Sequence, residues 1–258
     1  MLPDLLVGVA IGFVGGVASG LTGTSPGGAL VVLSSALLGA DQRAAQGVAL
    51  LAQVPPTSLS GIARYRAGGA CAPWRWILWL TVGFVAGGLG GAFAVGGVSD
   101  RALRWTYVVY LVLLGALAGL RRPGGGLGRV SASPDEASAA ALLAIGTVAG
   151  ISAGFLGIGG GLAITVGLTV LLGVSQHEAQ MVSLILALAP VNLPAAWVYY
   201  QQGWIASWPA LAGVVVGLVA GGDIGARFAN RLSAAQLRGV MLAVIAGMAA
   251  FMAWKATT

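Results

Sequence analysis

A cluster of backbone donors sits where an apolar helix would otherwise continue. The stretch Gly154-Phe155-Leu156-Gly157-Ile158-Gly159-Gly160-Gly161 holds five glycines in eight residues. Each interior glycine costs a helix about 1 kcal/mol relative to alanine, so the spacing predicts that helical backbone stops here and restarts. A restarting helix presents free N–H groups and roughly half a positive charge, and glycine lets a ligand approach that backbone closely. That is chemistry for holding a small anion. A second knot, Gly20-Leu21-Thr22-Gly23-Thr24-Ser25-Pro26-Gly27-Gly28, carries the same signal with hydroxyl groups added. The binding candidates are therefore Gly23, Thr24, Ser25, Gly27, Gly157, Gly159, Gly160 and Gly161, with Gln46 and Gln180 as further ligands. The competing reading is close helix packing through small residues. Packing is the expected role of Gly15-Gly16, Gly87-Gly88 and Gly221-Gly222.

The elements that must position these residues are set by composition. The 258-residue chain is 58% hydrophobic and only 8% charged, with a mean hydropathy of +0.93. Soluble domains carry roughly 25% charge, and the apolar segments here recur at lengths of about 17 to 25 residues. The expected fold is all-α and polytopic in a membrane, since period-two alternation for a barrel is missing. Segments are expected at 5–22, 29–39, 43–63, 74–97, 102–120, 138–156, 161–173, 178–200, 208–226 and 235–254. The short runs 29–39 and 161–173 reach about half of a 30 Å hydrocarbon core, as half-helices or one arm of a re-entrant hairpin. The first segment has no basic residues before it and reads as a retained helix, not a cleaved signal.

Residue n of the first half matches residue n+134 of the second without a gap from Gly12 to Arg104. Gln42 pairs with Gln176, Gln46 with Gln180, Pro56 with Pro190, Tyr65 with Tyr199 and Trp74 with Trp208. Glycine and alanine match easily by chance; these residue types in fixed register do not. The chain divides into a first transmembrane repeat, 1–120, a cytoplasmic linker, 121–137, and a second repeat, 138–258. An odd number of net crossings per half would invert the second copy. Arg64, Arg66 and Arg75 surround the 64–75 connection, whereas its mate at 198–209 carries no charge. Placing 64–75 in the cytoplasm leaves nine basic residues inside and four outside, namely Arg43, Arg101, Arg104 and Lys255. That agrees with the positive-inside rule. A parallel arrangement ranks second.

The remaining polar residues narrow the chemistry. Gln53 and Asn192 lie deep in apolar segments, as interhelical hydrogen bonds or as ligands. Pro55-Pro56 and Pro190 with Pro194 break the third helix of each half. Tyr65, Tyr199, Tyr200, Trp74, Trp76, Trp204 and Trp208 fall at helix ends and are expected to form an interfacial belt. Asp223, alone among the seven carboxylates in lying within an apolar run, is expected to pair with Arg227. The lack of buried carboxylates points away from a cation as cargo. A single Cys71 and a single His177 exclude an internal disulfide and a Cys/His metal cluster within one chain, and no organic cofactor or metal is expected. Catalysis is not expected.

The knot at Gly154–Gly161, its copy in the first half, the Gly-Gly-x-x-Gly-Ala pattern at Gly87–Ala92 and Gly221–Ala226, and the pairs Tyr65…Gly69 and Tyr199…Gly203 resemble the sulfite exporter TauE/SafE family. The resemblance covers nearly the whole chain. It implies a multi-pass permease of the bacterial inner membrane for a sulfur-containing anion of the sulfite, sulfonate, sulfoacetate or thiosulfate type, driven by an ion gradient such as a coupling proton. Members usually carry Gly-Gly-Gly in both knots, so Thr24-Ser25-Pro26-Gly27 is a departure that bears on the choice of anion. The alternatives are a channel-like facilitator of another small anion or neutral solute, and a scaffold or sensor subunit that transports nothing.

Overall fold

A computed structural model describes residues 2–22, 24–55, 62, 72–120, 137–188, 190–229, 232 and 234–258. Eleven α-helices and a short 3-10 turn account for nearly all of them, and there is no strand among the described residues. In the first half these are α1 (Leu2–Thr22), α2 (Gly27–Leu37), α3 (Gln42–Ala52), α4 (Trp74–Ala94) and α5 (Asp100–Leu120). The second half holds α6 (Ala139–Leu156), α7 (Gly161–Leu171), α8 (Gln176–Leu188), α9 (Leu193–Gln201), α10 (Trp208–Ala229) and α11 (Ala234–Thr257). The starts of α2 and α7, α3 and α8, α4 and α10, and α5 and α11 each lie 134 residues apart, in the register of the sequence repeat. The linker, apart from Ala137, lies outside the described residues, as do Gly23, Tyr65 and Cys71.

Six helices are long and apolar enough to cross a bilayer: α1, α4, α5, α6, α10 and α11. The pair α8 and α9 adds a seventh span if taken as one crossing bent by 47°. The bend falls between Leu188 and Leu193, at Pro190, whose ring and missing N–H interrupt the helical ladder. In the first half α3 stops at Ala52, short of the continuous 43–63 segment expected from hydropathy, with Gln53 closing its last turn. Helices α2 and α7 have 11 residues each, about 16 Å of rise and half of a hydrocarbon core. Outward-facing side chains such as Val14, Val109, Val112, Leu113, Val148, Val216 and Trp254 are large, apolar and exposed, as a protein solvated by lipid requires.

The halves pack crosswise, α1 on α10 and α4 on α6. Glycine permits both contacts. Side chains on Gly8, Gly12, Gly16 and Gly20 would collide with backbone of Ala210, Val214, Leu218 and Gly222, so α1 and α10 run parallel at a constant stagger. Gly146, Gly150 and Gly154 meet the backbone of Leu80, Phe84 and Gly88 in the same way. With no hydrophobic drive between helices in lipid, such backbone-to-backbone approach supplies the van der Waals contact that holds them. Of the glycine pairs expected to pack, Gly16, Gly87 and Gly221 meet opposing backbone and Gly15 meets the Leu30 side chain, whereas a Cβ on Gly88 would make only ordinary contact and one on Gly222 would meet open space.

One end of the bundle is tied together by polar contacts. Arg43 reaches Asp100 at 3.5 Å and donates to the Val98 carbonyl at 2.5 Å. Its guanidinium also lies 5.6 Å from the Trp204 ring. Lys255 donates to the Ser35 carbonyl at 2.5 Å, and Arg104 donates to the Lys255 carbonyl at 2.8 Å. Ser207 meets Asp4 at 3.3 Å. Helices α1, α3, α5 and α10 therefore start at this end, while α2, α4, α9 and α11 finish there. The four basic residues that the charge count sets apart, Arg43, Arg101, Arg104 and Lys255, all lie at it. Repeat mates α5 and α11 pack against each other antiparallel, Arg101 donating to the Ala256 carbonyl at 3.2 Å.

Candidate functional site

The two knots meet. A Cβ on Gly27, the first residue of α2, would strike the Ile158 carbonyl of the second knot, and one on Gly161, the first residue of α7, would strike Ser25 of the first. Ser25 and its mate Gly159 touch across the junction. Neither α2 nor α7 has a side-chain cap at its N-terminus. Two helix N-termini thus converge on one small region, each contributing about half a positive charge.

The second knot is built from left-handed backbone: Gly157, Gly159 and Gly160 have φ of 71°, 82° and 66°. Only glycine adopts such angles readily. The first knot has no equivalent among its described residues, because no residue other than glycine has positive φ and Pro26 is fixed at φ −71°. Its hydroxyls replace the missing freedom. Thr22 and Thr24 share a hydrogen bond of 2.7 Å, Ser19 donates to the Thr24 carbonyl, and Ser25 donates to Gln53 Oε1.

The glutamine pair brackets the junction from opposite halves. Gln180 on α8 donates to the Thr22 carbonyl of the first knot at 3.0 Å. Gln46 on α3 packs on the second knot, where a Cβ at Gly157 would lie 2.8 Å from its own. Its Oε1 accepts from Tyr199 at 2.9 Å, while its buried Nε2 has no partner among the described residues. Unpaired buried donors are uncommon and call for an explanation such as a bound water or ion. Of the expected site residues, Ser25, Gly27, Gly159 and Gly161 come together at the centre. Thr24, Gly157, Gln46 and Gln180 surround them. Gly160 faces away, onto Phe84 and the Ala149 carbonyl. Gly23 lies outside the described residues.

Two aromatic residues expected in the interfacial belt are in the interior. Tyr199 is fully buried, and its single hydroxyl proton is shared between Gln46 Oε1 and the Gly154 carbonyl, each 2.9 Å away. Trp76 is 4% exposed and belongs to the core. Trp74, Tyr200 and Trp208 are exposed as a belt requires. Position at a helix end does not tell lipid from a neighbouring helix; Tyr199 also packs edge-on to Trp204, which a bent α8–α9 turns inward. Sequence reasoning also passed over Tyr107, whose hydroxyl donates to the Gly28 carbonyl at 2.7 Å, and Tyr110, which donates to Ser152 at 3.0 Å. Nothing in the spacing of α5 marks them, since each looks like one more large residue on an apolar helix. Asp223 pairs with Arg227 at 2.7 Å, one turn apart, as expected.

A shallow, open cleft flanks the first knot. Ser19, Thr22, Thr24 and Ser25 line one wall, and Met241, Val244, Ile245 and Met248 of α11 line the other. Two strings, Gly23–Gly27 and Gly150–Gly154, have the Gly-x-Ser-x-Gly form of a nucleophile elbow. Neither has its strand-turn-helix setting. Ser152 lies within α6, and its hydroxyl donates to the Ala149 carbonyl at 2.8 Å. No group of three or more His, Cys, Asp or Glu side chains suited to a metal occurs among the described residues.

An all-helical protein with six membrane-length apolar helices, two half-length helices and buried helix breaks belongs to the class of multi-pass membrane proteins. More narrowly, residues 7–252 match the model of the family described as TauE, sulfite exporter TauE/SafE, and the chain belongs to that family. No curated protein matches the chain. Family membership makes it a membrane transport protein, in agreement with the resemblance carried by the knots and the glycine pairs.

Proposed function

We propose that the chain is a secondary transporter moving a small sulfur-containing anion, of the sulfite, sulfonate, sulfoacetate or thiosulfate type, across the bacterial inner membrane. The observation that carries this reading is the meeting of two uncapped helix N-termini, Gly27 of α2 and Gly161 of α7, at a buried junction. Positive helix ends pointing at a common point near the midplane are how several transporter folds hold an anionic group. Backbone donors come from Gly27, Gly159 and Gly161 at the junction, and not from Gly157, whose N–H is bonded to the Ala153 carbonyl at 2.8 Å, or from Gly160, which faces Phe84. Thr24 and Ser25 add hydroxyl donors, and Gln46 and Gln180 add amides from either side.

The antiparallel run of mates α5 and α11 supports an inverted repeat. So does the polar end of the bundle, at which α4 arrives and from which its mate α10 departs. In that arrangement each knot closes a re-entrant pair, α1–α2 from one face and α6–α7 from the other. Access would alternate as one half moves against the other, with the bends at Gln53–Pro55 and Leu188–Leu193 as hinges. A coupling ion such as a proton would supply the drive.

The test is flux of labelled sulfite from proteoliposomes holding the purified protein. The reading expects saturable flux that thiosulfate or a sulfonate inhibits and that Thr24→Val/Ser25→Ala removes. Flux that is linear in sulfite up to high concentration, or untouched by the double substitution, would overturn it.

A further inference from the structure

The centre of the junction is filled by a side chain that the repeat does not duplicate. Gln53 closes the C-terminus of α3 and is 6% exposed. Its amide lies between the two knots: Nε2 is 2.7 Å from where a Cβ on Gly27 would stand, and Oε1 fills the place where one on Gly159 would have to go. Oε1 accepts from Ser25, and Nε2 donates to the Ala49 carbonyl at 2.7 Å. The 134-residue register puts Ala187, which has no polar side chain, at the matching place in the second half.

An amide oxygen carries partial negative charge, and this one sits at the point where Gly159, two residues before α7, meets Ser25 of the first knot, with Gly27 of α2 against the same amide's Nε2. It accepts from a hydroxyl that would otherwise face that point. The acceptor between the two knots is thus an uncharged side chain of the protein itself. Resting on the anion-site reading above, we infer that Gln53 is a stand-in for the transported anion: it holds the acceptor position in the empty carrier and is displaced when the anion enters. Gln53 therefore sets the affinity threshold. A ligand must be a better acceptor than a neutral amide, which favours anions over neutral solutes.

The location suits displacement. Past Ala52 the helical ladder of α3 gives way to tight turns, with Gln53 N–H donating to the Leu50 carbonyl and Val54 N–H to the Leu51 carbonyl, both at 3.2 Å. Pro55 follows. A side chain at a helix terminus next to a proline can leave without unwinding a continuous helix. Its departure would shift the chain at the hinge of the broken crossing, linking occupancy of the junction to movement of that half.

Two substitutions test this with sulfite as the probe, read by thermal unfolding of the detergent-purified protein. Gln53→Ala removes the competitor and leaves the helix ends and Ser25 free, so sulfite binding should tighten roughly threefold to tenfold, the worth of one hydrogen bond. Gln53→Glu places a fixed negative charge in the same position. The response to sulfite should vanish. Weaker or unchanged sulfite binding in Gln53→Ala would overturn the inference and make Gln53 a direct ligand or a packing residue. A sulfite response retained in Gln53→Glu would overturn it too. If the wild-type protein itself ignores sulfite and the other sulfur anions, the anion-site reading fails first.

Discussion

Pro26 and Gly160 stand at matching places in the two knots, yet their backbones differ: Pro26 has φ −71° and Gly160 has φ +66°. The second knot turns by left-handed glycine, and the described residues of the first turn without any, braced by hydroxyl bonds among Ser19, Thr22, Thr24 and Ser25. Both arrive at the same result, a helix N-terminus aimed at the opposite knot. The repeat has therefore kept where the helices begin, not how the chain gets there. The first knot trades freedom for side-chain donors; the second keeps donors on the backbone alone. In the proposed transporter this asymmetry gives one half the polar groups that choose the ligand.

The comparison can be broken by exchanging residues. Gly160→Pro asks a ring locked near φ −65° to sit at a left-handed position, and it should leave no folded protein by size-exclusion chromatography. The reciprocal Pro26→Gly is compatible with the existing φ and should cost about 1 kcal/mol or less, mostly through the unfolded chain. Equal losses in the two would show that the knots share one conformation. Tyr199→Phe comes next. It leaves the Gly154 carbonyl and Gln46 Oε1 without their common donor, at about 1 to 3 kcal/mol, read as a lowered melting temperature. A neutral result would mean that the second knot is held by its glycines alone. The smallest effect belongs to Asp223→Asn, which removes an exposed pair one turn apart on α10 and should change stability by no more than about 0.5 kcal/mol. A larger loss would place Asp223 in the working part of the protein.

The repeat was legible from spacing. Gln, Pro, Tyr and Trp in a fixed 134-residue register placed the starts of α2 and α7, α4 and α10, and α5 and α11, because mates in a duplicated chain keep their boundaries. The helix breaks were legible too, since a run of glycines in an apolar segment has few other meanings. Which surfaces meet was not. The crosswise pairing of α1 with α10 depends on Gly8, Gly12, Gly16 and Gly20 reaching backbone 202 residues further on, and similar stripes on other helices allow other pairings. Tyr199 failed for the same reason, since its burial follows from the bend before α9 and not from its own surroundings in the chain. Gln53 was visible as a polar residue in an apolar segment, but a sequence read half by half cannot place it against the other half's knot.

The central claim is that the junction between the knots binds an anion. Its most direct measurement is the melting temperature of the purified protein against sulfite, thiosulfate, sulfoacetate, sulfate, phosphate, chloride and a few cations, for wild type and Thr24→Val/Ser25→Ala. A ligand that binds only the folded state raises the melting temperature by mass action, so even weak binding registers at millimolar excess. The account predicts a rise confined to sulfur oxyanions and lost in the double variant. A response to cations alone, or an anion response that the double variant keeps in full, would contradict it.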